Sequence, residues 1–185
     1  MQTTPVRWTT ADLELFAGDR RNRYEIIDGG LFVTRSPHWE HQTTCINIGT
    51  VLKIWSEETG LGKPAVAPGI IFSDADNVIP DVVWASNERL ERLLDEAGHL
   101  TGAPELIIEV LSPGEKNEKR DKETKLKLYS VQGVLEYWIC DRTQKKLEVY
   151  RREQATLKLA ATLFEQDELT SPVLPGFKCL VSKLF

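Results

Sequence analysis

The chain has 185 residues, 41% hydrophobic and 28% charged, enough to bury a core unaided and too ordinary for a collagenous, low-complexity or wholly disordered class. Lys and Arg number 23 against 28 Asp and Glu, a net charge of −5, which argues against coating nucleic acid through bulk positive charge. Residues 116–158 nonetheless carry twelve basic and seven acidic residues, so a region of +5 sits on a body of −10.

The N-terminal stretch MQTTPVRWTTADLELF has no basic region followed by an apolar run, and no segment reaches membrane-spanning length. A cytoplasmic protein without a membrane partner is expected. Thr9 or Thr10 caps a short helix over ADLELFA, and YEIIDGGLFVTR reads as two strands joined at Asp28-Gly29-Gly30. Beyond Pro37, HWEHQTTCINIGTVLKIWSEETG has apolar residues at helical spacing and stops at Gly60. Strands follow near AVAPGIIF and over PDVVWAS, then a short helix over NERLERLLDEAG with Asn87 as cap and Gly98 as stop.

The run PELIIEVLSP predicts a strand buried on both faces, interrupted by Glu109. A second amphipathic helix over NEKRDKETKLKLYSVQ ends at Gly133, LEYWICD is another buried strand, and KLEVYRR with TLKLAAT forms an antiparallel extension. This order gives an α/β or α+β fold around a mixed sheet. Repeats and linkers are absent, so residues 1–185 read as one domain. No Gly-rich phosphate loop occurs, so no nucleotide cofactor is expected. Cys45, Cys140 and Cys179 are odd in number and widely spaced, and read as buried thiols.

Chemistry is expected where polar residues replace apolar ones. Asp81 heads the PDVVWAS strand, and Glu109 lies in the most apolar strand, where an unpaired carboxylate is costly. On a helical wheel Lys125 falls near the centre of an apolar face defined by Leu126, Leu128, Tyr129 and Val131, with Asp121 and Tyr129 one turn away and able to orient its ammonium. Two carboxylates and the Val110 carbonyl suit Mg²⁺, a hard cation that takes oxygen ligands. Lys125 would then assist a water attacking a phosphodiester. The same residues also allow a plainer arrangement, a buried Glu109–Lys125 ion pair closing helix onto sheet.

These motifs resemble a family. YEIIDG, a helix beginning near His41, PDVVW, ELIIEVLSP, DKETKLKLY and GVLEYWICD are together similar to the PD-(D/E)XK nuclease superfamily, within it the restriction endonucleases of the Uma-two type. The resemblance implies a restriction-endonuclease-like fold, a central mixed sheet flanked by helices, with an N-terminal hairpin and an antiparallel C-terminal extension. It also implies Mg²⁺-dependent cleavage of DNA, with Mn²⁺ as a substitute, and homodimerisation. Asp81 matches the aspartate of PD and Glu109 the first acidic residue of the (D/E)XK element, while Leu111 stands where the pattern has lysine. Lys125 is the best replacement and Lys122 the second. Glu25 matches a recurrent acidic position and is a further ligand candidate.

His38 and His41 lie one helical turn apart without a third zinc ligand nearby in sequence, and His41 reads as a supporting or phosphate-contacting residue. Glu105, four residues before Glu109 on a strand, either extends the acidic cluster or meets solvent. Trp39, Trp55, Trp84 and Trp138 are assigned to the core, with base stacking as the minor role. Arg142, Lys145, Lys146, Arg151 and Arg152 either grip phosphates beside the cleft or keep a hairpin soluble. The competing functions are a nucleic-acid-binding or assembly module that keeps the fold without cutting, and a hydrolase of smaller phosphate esters.

Overall fold

The computed structural model describes residues 6–112 and 114–185; residues 1–5 and Pro113, which ends the apolar PELIIEVLSP run, lie outside them. A 3₁₀ turn over Thr10–Phe16 is capped by Thr9, whose backbone N–H and hydroxyl both donate to Asp12 at 2.8 Å. The hairpin of β1 (Asn22–Ile27) and β2 (Gly30–Arg35) turns at Asp28 and Gly29, both with positive φ, which suits their Asp-Gly pair. The helix α1 (Trp39–Thr59) begins at Trp39, two residues before His41, with His38 as its N-cap, and ends on left-handed Gly60.

The strands β3 (Gly62–Val66), β4 (Ile70–Ser73), β5 (Asp76–Val78) and β6 (Val82–Ser86) lead to α2 (Asn87–Leu93). Here the cap is Ser86, not Asn87: its Oγ accepts from Arg89 N–H at 3.2 Å. The helix also stops at Leu93, well before Gly98, because the following residues pair back, with Leu94 bridging Leu100 and Thr101 N–H donating to Leu93. A local cap signal was legible, but this tertiary pairing was not.

Next come β7 (Leu106–Val110), a continuous helical segment, and β8 (Glu136–Asp141). The helical segment is α3 (Glu115–Lys119), a π-helical stretch over Arg120–Lys125, and α4 (Leu126–Gln132), closed by left-handed Gly133. The chain finishes with β9 (Lys146–Glu153), β10 (Thr156–Phe164), a hairpin of β11 (Glu168–Ser171) and β12 (Leu174–Leu180), and a 3₁₀ turn over Val181–Leu184. The brief β5 and the β11–β12 hairpin had no clear periodic signal.

A six-stranded mixed sheet, ordered β10-β9-β8-β7-β6-β3, forms the centre, with β7 and β8 its parallel pair. Its α1 face buries Ile48, Leu52 and Trp55 against Leu106, Ile108 and Trp138, together with Phe177 from the C-terminal hairpin. The opposite face packs Ile107, Tyr137 and Ile139 against Leu128 and Tyr129 of α4 and against the smaller β2-β1-β5-β4 sheet. Both faces of β7 and β8 are therefore dry, as their apolar runs predict. All three cysteines are free and buried.

Two expectations about the core fail. Val131 is 72% exposed, although a uniform wheel places it beside Leu128. Val131 lies ~120° round the helix from buried Lys125, at the edge of the apolar arc, and the sheets cover only the part that carries Lys125, Leu128 and Tyr129. Trp39 is 83% exposed, unlike Trp55, Trp84 and Trp138, because it is the first helical residue and lies on the outer side of α1.

Candidate metal centre

Strand register brings the two main carboxylates together. Val82 pairs with Ile108 and Val83 with Ile107, so one further step sets Asp81 beside Glu109 at the carboxyl end of β7. Asp81 Oδ2 accepts from Val110 N–H at 2.9 Å, and its Oδ1 accepts from Arg23 at 3.2 Å. Arg23 also donates to the Ile79 carbonyl at 2.9 Å. On β1, Arg23 and Glu25 are two residues apart and share a face.

His41 comes from the other side of the sheet. Its Nε2 is 2.9 Å from the Val110 carbonyl oxygen and 3.2 Å from Asp81 Oδ2, so Nε2 carries the proton that it shares between them. Its Nδ1 lies 3.6 Å from Cys45 Sγ, one helical turn on. His38, by contrast, is an exposed cap at the helix start.

Behind the carboxylate floor, Lys125 is 1% exposed. Its Nζ lies 2.8 Å from Glu109 Oε1 and 2.9 Å from Glu25 Oε1. Glu25 Oε1 also accepts from Ile79 N–H, and Glu109 Oε1 from the Tyr129 hydroxyl, both at 2.9 Å. Lys125 thus ties the hairpin sheet, the central sheet and the helix together. Asp121 and Tyr129 share its face, but neither holds its ammonium directly. Asp121 pairs with Arg120 at 2.9 Å while its backbone carbonyl accepts from Tyr137, and Tyr129 acts on Glu109. Lys122 sits on the outer side with Glu118, 3.4 Å away, and does not join the cluster. Glu105 is likewise separate, held by Ser86 and by Arg89 at 3.0 Å.

A cleft of about 370 Å³ opens over this floor, lined among others by Arg23, His41, Asp81, Glu109, Val110 and Arg120. Lys125 and Glu25 are not in its lining. Both hydrogen bonds to Glu109 fall on Oε1, which leaves Oε2 for the cleft side.

The electrostatics follow from this crowding. Burial drives the Glu109 carboxyl up, to about 8; Lys125 opposes the rise, and Asp81, Asp121 and Glu25 reinforce it. Burial also pushes on Asp81, but its hydrogen bond to His41 and the charges of His41, Arg23 and Lys125 outweigh it and hold Asp81 well below the carboxylate range. For Glu25 burial is likewise outweighed, by Lys125 and Arg120, and its carboxyl lies low. Burial raises Asp121 despite Lys125 and Arg120.

The donor set suits a hard divalent cation. Asp81, Glu109 and the Val110 carbonyl converge as oxygen donors on a solvent-connected cleft, and several carboxylates gathered there with one pushed up to about 8 are relieved by added positive charge. His41, Cys45 and Asp81 also place one ligand atom each within 4.8 Å of one another, a cluster the sequence hinted at only through the i, i+4 spacing of His41 and Cys45. Burial and the nearby Asp81 and Glu109 push the Cys45 thiol up, so the oxygen donors are the better-prepared set. Arg23 and Arg120 had no sequence signal beyond neighbouring acidic residues at matching spacing.

Comparison with known proteins identifies the fold and the family. A crystal structure titled as a "putative nuclease belonging to DUF820", from Anabaena variabilis ATCC 29413, superposes with a TM-score of 0.75 over 98% of each chain at 19% identity. It shares the fold. None of the curated proteins matches this chain. The family model described as "Uma2: Putative restriction endonuclease" matches residues 11–182, nearly the whole length, and the chain belongs to that family.

Proposed function

We propose that this protein is a divalent-metal-dependent endonuclease that hydrolyses DNA phosphodiester bonds. The carrying observation is the pairing of Asp81 with Glu109 beside the Val110 carbonyl on the floor of an open cleft. Family membership supports the reading. Asp81, Glu109 and Val110 would hold Mg²⁺, with Mn²⁺ as a substitute. Bound there, the cation supplies Lewis acidity and lowers the pKa of a bound water.

The protein's own groups do the remainder. Arg23 and His41 fix the Asp81 carboxylate through its two oxygens, and Tyr129 and Lys125 fix Glu109 through Oε1, so the cleft-facing oxygens are oriented before substrate arrives. Arg23 and Arg120 line the cleft and can meet a phosphate by charge. Lys125 contributes as a positioning residue: its ammonium keeps Glu109 and Glu25 in place and adds positive potential from beneath the floor.

Two observations favour the non-catalytic alternative, a binding module that keeps the fold. Leu111 is buried where the motif lysine would stand, and Lys125 is enclosed between two carboxylates. The test incubates supercoiled, linear and single-stranded DNA with Mg²⁺, Mn²⁺ or EDTA. Cutting that needs metal and disappears in Asp81→Ala and Glu109→Ala supports the nuclease. Metal-independent binding without cutting supports the module.

A further inference from the structure

A second hollow flanks the cleft across the first turn of α1. It is open, about 650 Å³, and lined by Trp39, Thr43, Arg142, Lys145 and Phe185 among others. His38 and His41 face the cleft and Trp39 faces the hollow, so the two lie about one helix width, ~10 Å, apart. A lone exposed apolar side chain is ordinary. Trp39 is different because of what surrounds it.

Arg142, in the turn between β8 and β9, pairs with Glu40 at 2.6 Å through Nη1, yet its Nε is buried and has no hydrogen-bond acceptor. Among the described residues only Arg151 Nε shares that condition. Lys145 Nζ stands 4.7 Å from the centre of the Phe185 ring and forms no salt bridge with the described residues. The other basic residues of this hairpin are committed to the protein itself. Lys146 pairs with Glu148 at 3.0 Å, Arg151 donates to Thr170 O at 2.9 Å, and Arg152 donates to Val134 O at 3.0 Å. Two aromatic rings, an exposed ammonium that makes no salt bridge, and a guanidinium shared with Glu40, which also lines the hollow, make a stacking platform with cations for neighbouring phosphates.

From these contacts we infer that the hollow binds a single strand leaving the cleft, with one unstacked base on the Trp39 indole and neighbouring phosphates on Arg142 and Lys145. The inference rests on the nuclease reading and adds a preference to it. An intact duplex keeps its bases stacked inward and offers no free base to Trp39, whereas a frayed or single-stranded end does. Any base has a π face, so the platform tolerates sequence.

The test measures binding in EDTA, where nothing is cut. Probes are a short fluorescein-labelled single strand, the same strand in a blunt duplex, and a duplex with a single-stranded overhang. Trp39→Ala is expected to weaken single-strand and overhang binding about tenfold, with Trp39→Phe restoring most of it and blunt-duplex binding little changed. Removing both cations, in Arg142→Ala with Lys145→Ala, should flatten the salt dependence. Indole quenching by the single strand should vanish in Trp39→Ala, whose core is undisturbed because the ring is exposed. If wild type binds single strands and Trp39→Ala binds them equally well, the platform is overturned and the nuclease reading stands. If wild type binds no single strand in EDTA, the platform is likewise overturned, and the nuclease reading is decided separately by metal-dependent cleavage.

Discussion

Two glutamates on adjacent parallel strands of the central sheet, Glu109 of β7 and Glu136 of β8, are both buried, and their surroundings differ completely. Glu136 accepts from the Trp138 indole at 2.7 Å and the Ser171 hydroxyl at 3.1 Å, with Arg151 at 3.5 Å. It stitches the C-terminal hairpin to the sheet. Glu109 keeps one oxygen for a cleft and shares its space with Asp81, Asp121 and Glu25. Burial raises both carboxyls, so burial alone does not distinguish a site. The distinction is concentrated like charge beside an open volume, an arrangement that costs stability and is relieved by a cation.

The sharpest way to break this comparison is isosteric. Glu109→Gln should reduce metal-dependent cleavage by about 10³-fold while leaving the fold intact, whereas Glu136→Gln should cut at the wild-type rate. Plasmid cleavage with thermal unfolding on the same samples reads both. Equal loss in the two variants would mean that Glu109 is structural, like Glu136.

Next in size is the lysine beneath the floor. Lys125→Met leaves Glu25 and Glu109 buried without their shared cation, and should lower unfolding free energy in metal-free urea titrations by about 3–5 kcal/mol. A cost under about 1 kcal/mol would show that the ammonium does not hold these elements together. The double variant Lys125→Met with Glu109→Gln should recover part of the loss.

The pH dependence sharpens the contrast further. Folded Glu109 keeps its proton up to about 8, against an ordinary value of 4.5. The folded state therefore binds more protons between those values, and this contribution is complete below the lower one and lost as pH rises through about 8. In metal-free buffer the stability advantage of Glu109→Gln over wild type should widen as pH increases across that window. Correspondingly, Mg²⁺ binding near neutral pH should release a proton, which calorimetry in buffers of different ionisation enthalpy detects. The smallest effect belongs to Glu136→Gln, about 1 kcal/mol of stability, since amide replaces carboxylate within retained hydrogen bonds.

Much of the molecule was legible along the chain. The DGG turn, the β7 and β8 runs and the stops at Gly60 and Gly133 are local or periodic signals, and each element appears where they indicate. The α2 cap and end, the exposure of Val131 and that of Trp39 were not legible. They depend on pairing with a distant segment and on which side of each helix meets the sheet.

By itself the sequence determined that Asp81, Glu109 and Lys125 are polar residues in apolar settings, because desolvation makes such residues conspicuous without any contact map. Only the tertiary structure decided what each one faces. Strand register set Asp81 beside Glu109 at the cleft, and packing of the hairpin sheet brought Glu25 against the helix. That packing enclosed Lys125 between two carboxylates, where Coulomb attraction in a dry interior holds it away from the open volume.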